Sequence, residues 1–359
     1  MRPCMDSIKI QITRPGEIQT NALSILSFAS TNRAQSSREP LSNQENIMPL
    51  TRRNFFQLSA STTLGLAAIN VARFAKGNSE LKHPISKPSS NSTGEYRLGL
   101  AAYSLRKHFT FFKGRPQSTN GLQEFDMFSF IDYCASQQCA AELTSYFFPP
   151  DADQEYFLKI KRHAFLSGVP LVGTAIGNNF TVPDKAKLEK EITLANQWID
   201  RASIMGVNHI RFFAGTKKQI EANPNALSSA IASLKRCAKH AAQLGIFIGV
   251  ENHGQLTANQ VMEIVNGVDN PWLGVNLDTG NFISPTPYQD LKKCAPSSVN
   301  VQYKVKMKQP SGEKTNVDMQ KVNQLLTEAN YKGHIVLEYE EENPLDNIPQ
   351  VLSQMRSVF

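Results

Sequence analysis

The chain has 359 residues, 41% apolar and 19% charged, a soluble globular composition that fits one large domain or two ordinary ones. Its net charge of +7 is unevenly placed: residues 1–94 hold 11 Lys+Arg against 5 Asp+Glu, so of 38 basic and 31 acidic residues only 27 and 26 lie beyond them. A nearly neutral body removes the simplest electrostatic case for a nucleic-acid partner.

In chain order, residues 1–47 show neither charge organisation nor periodicity and read as an N-terminal extension. Across residues 48–76 the run TRRNFFQ precedes LSASTTLGLAAINVA, placing a twin arginine and two Phe ahead of an uncharged, small-residue apolar segment. That order is the order of a twin-arginine export signal. The segment is too short and too rich in Ser, Thr and Ala for a comfortable membrane span. The expectation is therefore an exported, periplasmic protein with no stable span, with Ala68 a fair cleavage site. Residues 77–95, rich in Ser, Pro and Asn, read as a linker. The five cysteines form no CxxC motif or Cys/His cluster, so buried thiols are expected rather than a disulfide framework.

Beyond the linker, eight β-rich runs alternate with helical patterns: 96–104, 140–148, 170–177, 207–215, 246–254, 272–280, 299–307 and 333–341. Helices are predicted over 185–206 and 226–245, each closed by a glycine suited to a C-terminal cap, and a last one over 345–359. Eight alternations over residues 96–359 match a single-domain (β/α)8 TIM barrel, which typically needs ~250 residues. A doubly wound open sheet is the alternative, but no Gly-rich phosphate turn follows the first strand. Residues 107–126 make a connection longer than usual, of the kind that often bears on a ligand.

In such a barrel the active residues come from the C-terminal strand ends. Strand five ends in Glu251, Asn252 and His253, strand six in Asp278, strand seven carries Gln302 and Lys304, and strand eight carries Glu338 and Glu340. Because residues two apart share a face, Glu251 goes with Gly249 and His253, Gln302 with Lys304, and Glu338 with Glu340. Taken alone, Asp278 in LDTGN is as well explained as a turn residue. Together the four strand ends gather carboxylates that repel one another unless something neutralises them. An oxygen-rich set of Glu251, Asp278, Gln302 and Glu338 favours Mn²⁺, Mg²⁺ or a similar ion over thiolate-type zinc.

The runs VENHG, GVNLDTGNF, VNVQYKV and IVLEYEE resemble the sugar phosphate isomerase/epimerase family, with its xylose-isomerase-like barrel. The resemblance extends from the first strand to the last helix. It implies one divalent ion (Mn²⁺, Mg²⁺ or Co²⁺) held by Glu251, Asp278, the strand-seven position and Glu338. It also implies a carbohydrate substrate and proton transfer through an enediolate, with Glu251 and Glu338 as the acid/base pair. Gln302 stands where the family has His, which weakens the site for borderline-soft ions and leaves open a site that only binds sugar. His253 reads equally as a compensating ligand or as a hydrogen-bonded rim residue. Lys304 reads as an oxyanion stabiliser or a snorkelling rim lysine. Glu142, Tyr146, Asn178 and Arg211 are further candidates for contacting substrate, Arg211 equally for pairing one of the acids. A sugar dehydratase or lyase would use the same enediolate. The metal-dependent endonuclease branch needs several His ligands, whereas His163 and His240 fall in helices and His209 and His334 at the starting ends of strands. The sequence is compatible with a homo-oligomer and identifies neither the sugar nor the metal.

Overall fold

The computed structural model describes residues 96–359. The extension, twin-arginine segment and linker expected over residues 1–95 lie outside the described residues. Eight parallel strands close into a barrel: β1 (Arg97–Ala101), β2 (Ala140–Thr144), β3 (Leu171–Ala175), β4 (His209–Phe212), β5 (Phe247–Glu251), β6 (Leu273–Asp278), β7 (Ser298–Tyr303) and β8 (His334–Leu337). Each pairs with its neighbour in chain order, and β8 closes on β1 through registers such as Leu98 with Ile335. Such strands are covered on both sides, and every residue of β2, β4 and β6 is buried.

Helices α1 (Met127–Ser136), α2 (Gln154–Leu166), α3 (Lys185–Met205), α4 (Ala226–Leu244), α5 (Ala258–Val268), α6 (Pro287–Cys294), α7 (Met319–Glu328) and α8 (Pro344–Val358) follow the strands in turn. Their starts are written locally. Asp126 with Ser129 and Thr257 with Gln260 form capping boxes at α1 and α5, and Asp153, Asp184 and Asp318 cap α2, α3 and α7. Gly206 and Gly245 take left-handed φ of 77° and 70° and end α3 and α4 where the sequence places the caps. Apolar helix faces such as Ile199, Leu234, Val261 and Leu352 bury against the outer face of the barrel. The last residue clasps the first strand: Tyr96 N donates to Phe359 O at 3.2 Å.

Two stretches depart from the expected outline. The seventh strand, expected over 299–307, ends at Tyr303, and Lys306–Lys308 pairs back on Lys314–Asn316 as an antiparallel hairpin. The flanking strands end at Asp278 and Leu337, so beyond Tyr303 the chain has no neighbour in the barrel and pairs with itself. The long 107–126 connection forms a second hairpin, Phe111–Phe112 with Arg115–Pro116, tied to the end of β2 by Lys113 N donating to Tyr146 O at 2.7 Å. Phe109 stacks on Phe147 with ring centroids 4.2 Å apart, so this loop packs as structure. Cys134, Cys139, Cys237 and Cys294 are buried free thiols. No helix among the described residues is long and apolar enough to cross a membrane.

Candidate active site at the C-terminal mouth

The barrel axis is unusually polar. TIM-barrel interiors are commonly filled by branched apolar side chains, yet here Glu142, Arg211, Glu251, Asn276, Asp278 and Gln302 are all at most 3% exposed. Buried polar groups need partners, and most of these find one another. Arg211 Nε lies 2.9 Å from Glu251 Oε2, close but not aligned for a hydrogen bond, while Arg211 Nη1 donates to Ile176 O at 2.7 Å. Asn300 donates to Asn276 Oδ1 at 2.8 Å, Asn276 to Gln302 Oε1 at 2.6 Å, and Gln302 Nε2 to Glu142 Oε1 across the interior at 3.2 Å.

Above this network stands Lys304. Its Nζ lies 3.3 Å from Asp278 Oδ2, 3.5 Å from Glu338 Oε2 and 3.1 Å from Glu340 Oε2, and donates to Asn281 Oδ1 at 3.2 Å. Asn281 Nδ2 in turn donates to Glu251 Oε1 at 2.8 Å, which also lies 3.2 Å from His253 Nδ1. Asp278 is fixed at its other oxygen by Gly280 N at 2.8 Å. His253 stacks on Phe213 at 4.1 Å, and Arg211 sits 4.2 Å from the centroid of the same ring. A mouth cavity of about 330 Å³ is lined by His253, Asn281, Lys304, Glu338 and Glu340. The larger cavity, about 920 Å³, opens at the opposite, N-terminal mouth and touches none of the candidate residues. Chemistry and volume therefore point to different ends, and in a barrel the strand ends decide.

The acids are driven apart electrostatically. Burial pushes Glu142 up to about 8 against the pull of Arg211. Burial likewise raises Asp278 well above the carboxylate range, and Glu338 above it, with Lys304 opposing in both cases. Burial would also raise Glu251, but Arg211, His253 and Lys304 outweigh it and hold that carboxyl at about 2. Burial alone would lower Lys304, yet Asp278, Glu338 and Glu340 reverse this and keep it charged.

Of the residues expected from sequence, Lys304, Glu338 and His253 meet at the mouth, with Asp278 and Glu251 directly behind them. The others do different work. Glu142 lies inside the barrel, and Arg211 is the internal partner of Glu251. Tyr146 belongs to a separate cavity with Lys113 and Trp198. Asn178 is spent as a clasp, donating to Phe213 O at 2.7 Å and accepting from Phe213 N at 3.0 Å. Asn276 and Asn300 are not among the residues that the strand-end pattern selects. The alternation in VNLD and NVQ carried the signal for Asn276 and Asn300, two residues before Asp278 and Gln302.

The set expected to hold a divalent ion does not fit one as arranged. Gln302 turns its carbonyl oxygen down to Asn276, and both oxygens of Glu251 are engaged. Among the described residues no group of three or more His, Cys, Asp or Glu is placed to hold a metal ion. Lys304 Nζ lies among the oxygens that would remain. Two unit charges 4 Å apart at an effective dielectric near 20 interact by about 4 kcal/mol, so a divalent ion beside this ammonium would meet about 8 kcal/mol of repulsion.

The xylose isomerase-like TIM barrel family matches residues 128–358. The chain belongs to that family. Among curated proteins no sequence matches it. Solved structures similar to it include D-psicose 3-epimerase with D-tagatose from Clostridium cellulolyticum H10, at 15% identity and TM-score 0.58, covering 73% of this chain and 99% of that one. A xylose isomerase-like TIM barrel protein from Mycobacterium smegmatis in complex with magnesium gives 14% identity and TM-score 0.57, covering 74% and 97%. The probable 3-DHS dehydratase from Bacillus anthracis gives 16% and 0.54, covering 73% and 98%. At these identities the likeness is one of fold.

Proposed function

We propose that this xylose isomerase-like barrel is a sugar isomerase or epimerase that moves a proton on a sugar or keto-sugar through an enediolate. The observation that carries the reading is the divergence of two carboxyls at one mouth. Glu338, raised above the usual carboxylate range by burial and lining the cavity, is the stronger base of the two, while Glu251 stays ionised behind His253. As a carboxylate, Glu338 takes the proton from the carbon beside the substrate carbonyl. The C–H electron pair moves into the enediolate, and charge develops on the carbonyl oxygen next to Lys304 Nζ. Return of the proton from Glu338 to the former carbonyl carbon, with the enediol hydroxyl giving up its own proton to the other oxygen as the new carbonyl forms, gives the isomer. Delivery of a proton to the opposite face from His253, which lines the cavity, gives the epimer, Glu338 releasing its proton to water. Glu251 reaches the cavity through His253 Nδ1, whose ring the Phe213 stack holds in place. The donor set as arranged does not fit a metal ion, and the proton transfer draws on the chain's own residues.

Incubation with 2-keto and 3-keto sugars in D₂O tests this. Deuterium is expected in recovered sugar of unchanged composition, with the exchange rate falling on the order of 10²–10⁴-fold in Glu338→Gln. A dehydrated or cleaved product would instead make the protein a lyase using the same enediolate. Tight sugar binding without exchange would make it a carbohydrate-binding protein. The twin-arginine segment supports a periplasmic site of action, and a full-length fusion retained in the cytoplasm on fractionation would overturn that location.

A further inference from the structure

We infer that Lys304, with Arg211 behind Glu251, takes the electrostatic place that the family resemblance gives to a divalent ion, so that the mouth works on internal cations alone. The inference rests on the proton-transfer reading above and deepens it. Four oxygens surround Lys304 Nζ at 3.1–3.5 Å, from Asp278 and Asn281 at the end of β6 and from Glu338 and Glu340 beyond β8. The lysine is built in. Its backbone N–H donates to Thr279 Oγ1 at 3.0 Å, and a Cβ at Gly280 would fall 2.6 Å from Lys306 O and 3.0 Å from Lys304 Cβ and Cδ, so the missing side chain leaves space for the Lys306 carbonyl and the lysine stem together.

The second cation completes the arrangement. Arg211 neutralises Glu251, which Lys304 does not contact directly, and a guanidinium stays charged at any working pH. The strand-seven position that would bring a metal ligand is occupied in a hydrogen-bonded chain from Asn300 to Glu142. In the reaction the C–H proton goes to Glu338 and its electron pair into the enediolate, whose oxygen accepts a hydrogen bond from Lys304. No oxidant or reductant enters. Lys304 is on this account a catalytic residue that touches substrate, and Arg211 is a positioning residue.

The test uses the full chain, chelator-treated and then assayed for metal content, for a thermal shift with Mn²⁺, Co²⁺ or Mg²⁺, and for solvent-deuterium exchange into keto-sugars. The expected result is no stoichiometric ion, no shift with any of the three, and exchange unaffected by chelation. A stoichiometric ion whose removal lowers Tm or stops exchange would overturn the inference. Lys304→Met removes the ammonium but keeps much of the stem. It should lose exchange by at least about 10²-fold and acquire a stabilising shift with Mn²⁺ as Asp278 and Glu338 lose their counter-ion, whereas Lys304→Arg should acquire none. Metal-free Lys304→Met exchanging at the wild-type rate would overturn it. Should Lys304→Met not fold, the wild-type metal content and thermal shifts still decide. If no sugar exchanges deuterium at all, the proposed reaction fails, while the metal measurements separately decide the cation arrangement.

Discussion

Arg211 and Glu251 face each other with side chains only 4% and 3% exposed, so removing the arginine takes the nearest cation from a buried carboxylate. Arg211→Met should destabilise the protein by about 3–5 kcal/mol, because the buried Glu251 carboxylate loses its nearest cation and keeps only Asn281 and His253 at its other oxygen. Denaturant titration at neutral pH measures it, and a loss below about 1 kcal/mol would show that solvent or another cation reaches Glu251. Glu142 gives a pH signature of opposite sign to an ordinary salt-bridged acid. Its folded pKa, about 8, lies above its unfolded value, so the folded state holds the extra proton. Its contribution is most favourable below the unfolded value and is lost as pH rises toward 8, at about 1.4 kcal/mol per pH unit. Glu142→Gln should accordingly be more stable than wild type by a wider margin at pH 8 than at pH 5. Equal margins in urea titrations at the two pH values would show that Glu142 is ionised in the fold.

Strand ends in this barrel are extended by side chains that imitate the next rung of the ladder. Asn252 donates to Asp278 O at 2.9 Å and accepts from Asp278 N at 2.8 Å, and Asn178 does the same for Phe213 one pair of strands earlier. Ser104 and Thr279 make comparable bridges to the residues beyond β8 and β7. Each clasp holds a functional residue where regular pairing has stopped. Asn252→Ala should cost about 1–3 kcal/mol by leaving Asp278 N–H without its partner, and faster amide hydrogen exchange at Asp278 than at neighbouring β6 amides would report the loss. Inside β5, Gly249 faces His209, whose ring is buried without hydrogen-bond partners and lowered to about 3 by burial. A Cβ there would fall 2.4 Å from His209 Nε2 and 2.9 Å from Asn276 Cβ. Gly249→Ala should therefore destabilise by about 1–3 kcal/mol through overpacking, read as a lowered Tm, and an unchanged Tm would mean that the interior can shift to admit a methyl group. At this scale the helices and strand order were legible because periodicity and caps are local. The hairpin after Tyr303 was not, because its cause is the end of neighbouring strands distant in sequence.

The whole barrel closes where its first and last strands meet, and the C-terminus seals that seam. Phe359 is 4% exposed and packs edge-on to Tyr96 and Tyr303 at centroid distances of 6.3 Å and 5.8 Å. Phe359→Ala should lower stability by about 3–5 kcal/mol, the range for a buried aromatic truncation, with hydrogen exchange at β1 and β7, which carry its contacts, accelerated most. Uniform acceleration around the barrel would show instead that the seam opens only with global unfolding. The closed strand order also explains why residues from β2, β4 and β7 meet on one axis although 160 positions separate Glu142 from Gln302.

What the sequence determined by itself was the alternation of eight strands and helices, the glycine caps of two helices, and the gathering of Glu251, Asp278, Lys304 and Glu338 at strand ends. Each follows from local periodicity and from the rule that parallel strands end on one face. Only the tertiary structure decided what each polar group faces. Asp278 remains an acid at a strand end, but its buried oxygen meets the Lys304 ammonium, and Gln302 turns away from it into the barrel. The reason is physical: a strand's alternation fixes the side of the sheet a side chain takes, whereas its rotamer is set by charges and hydrogen-bond partners from other strands.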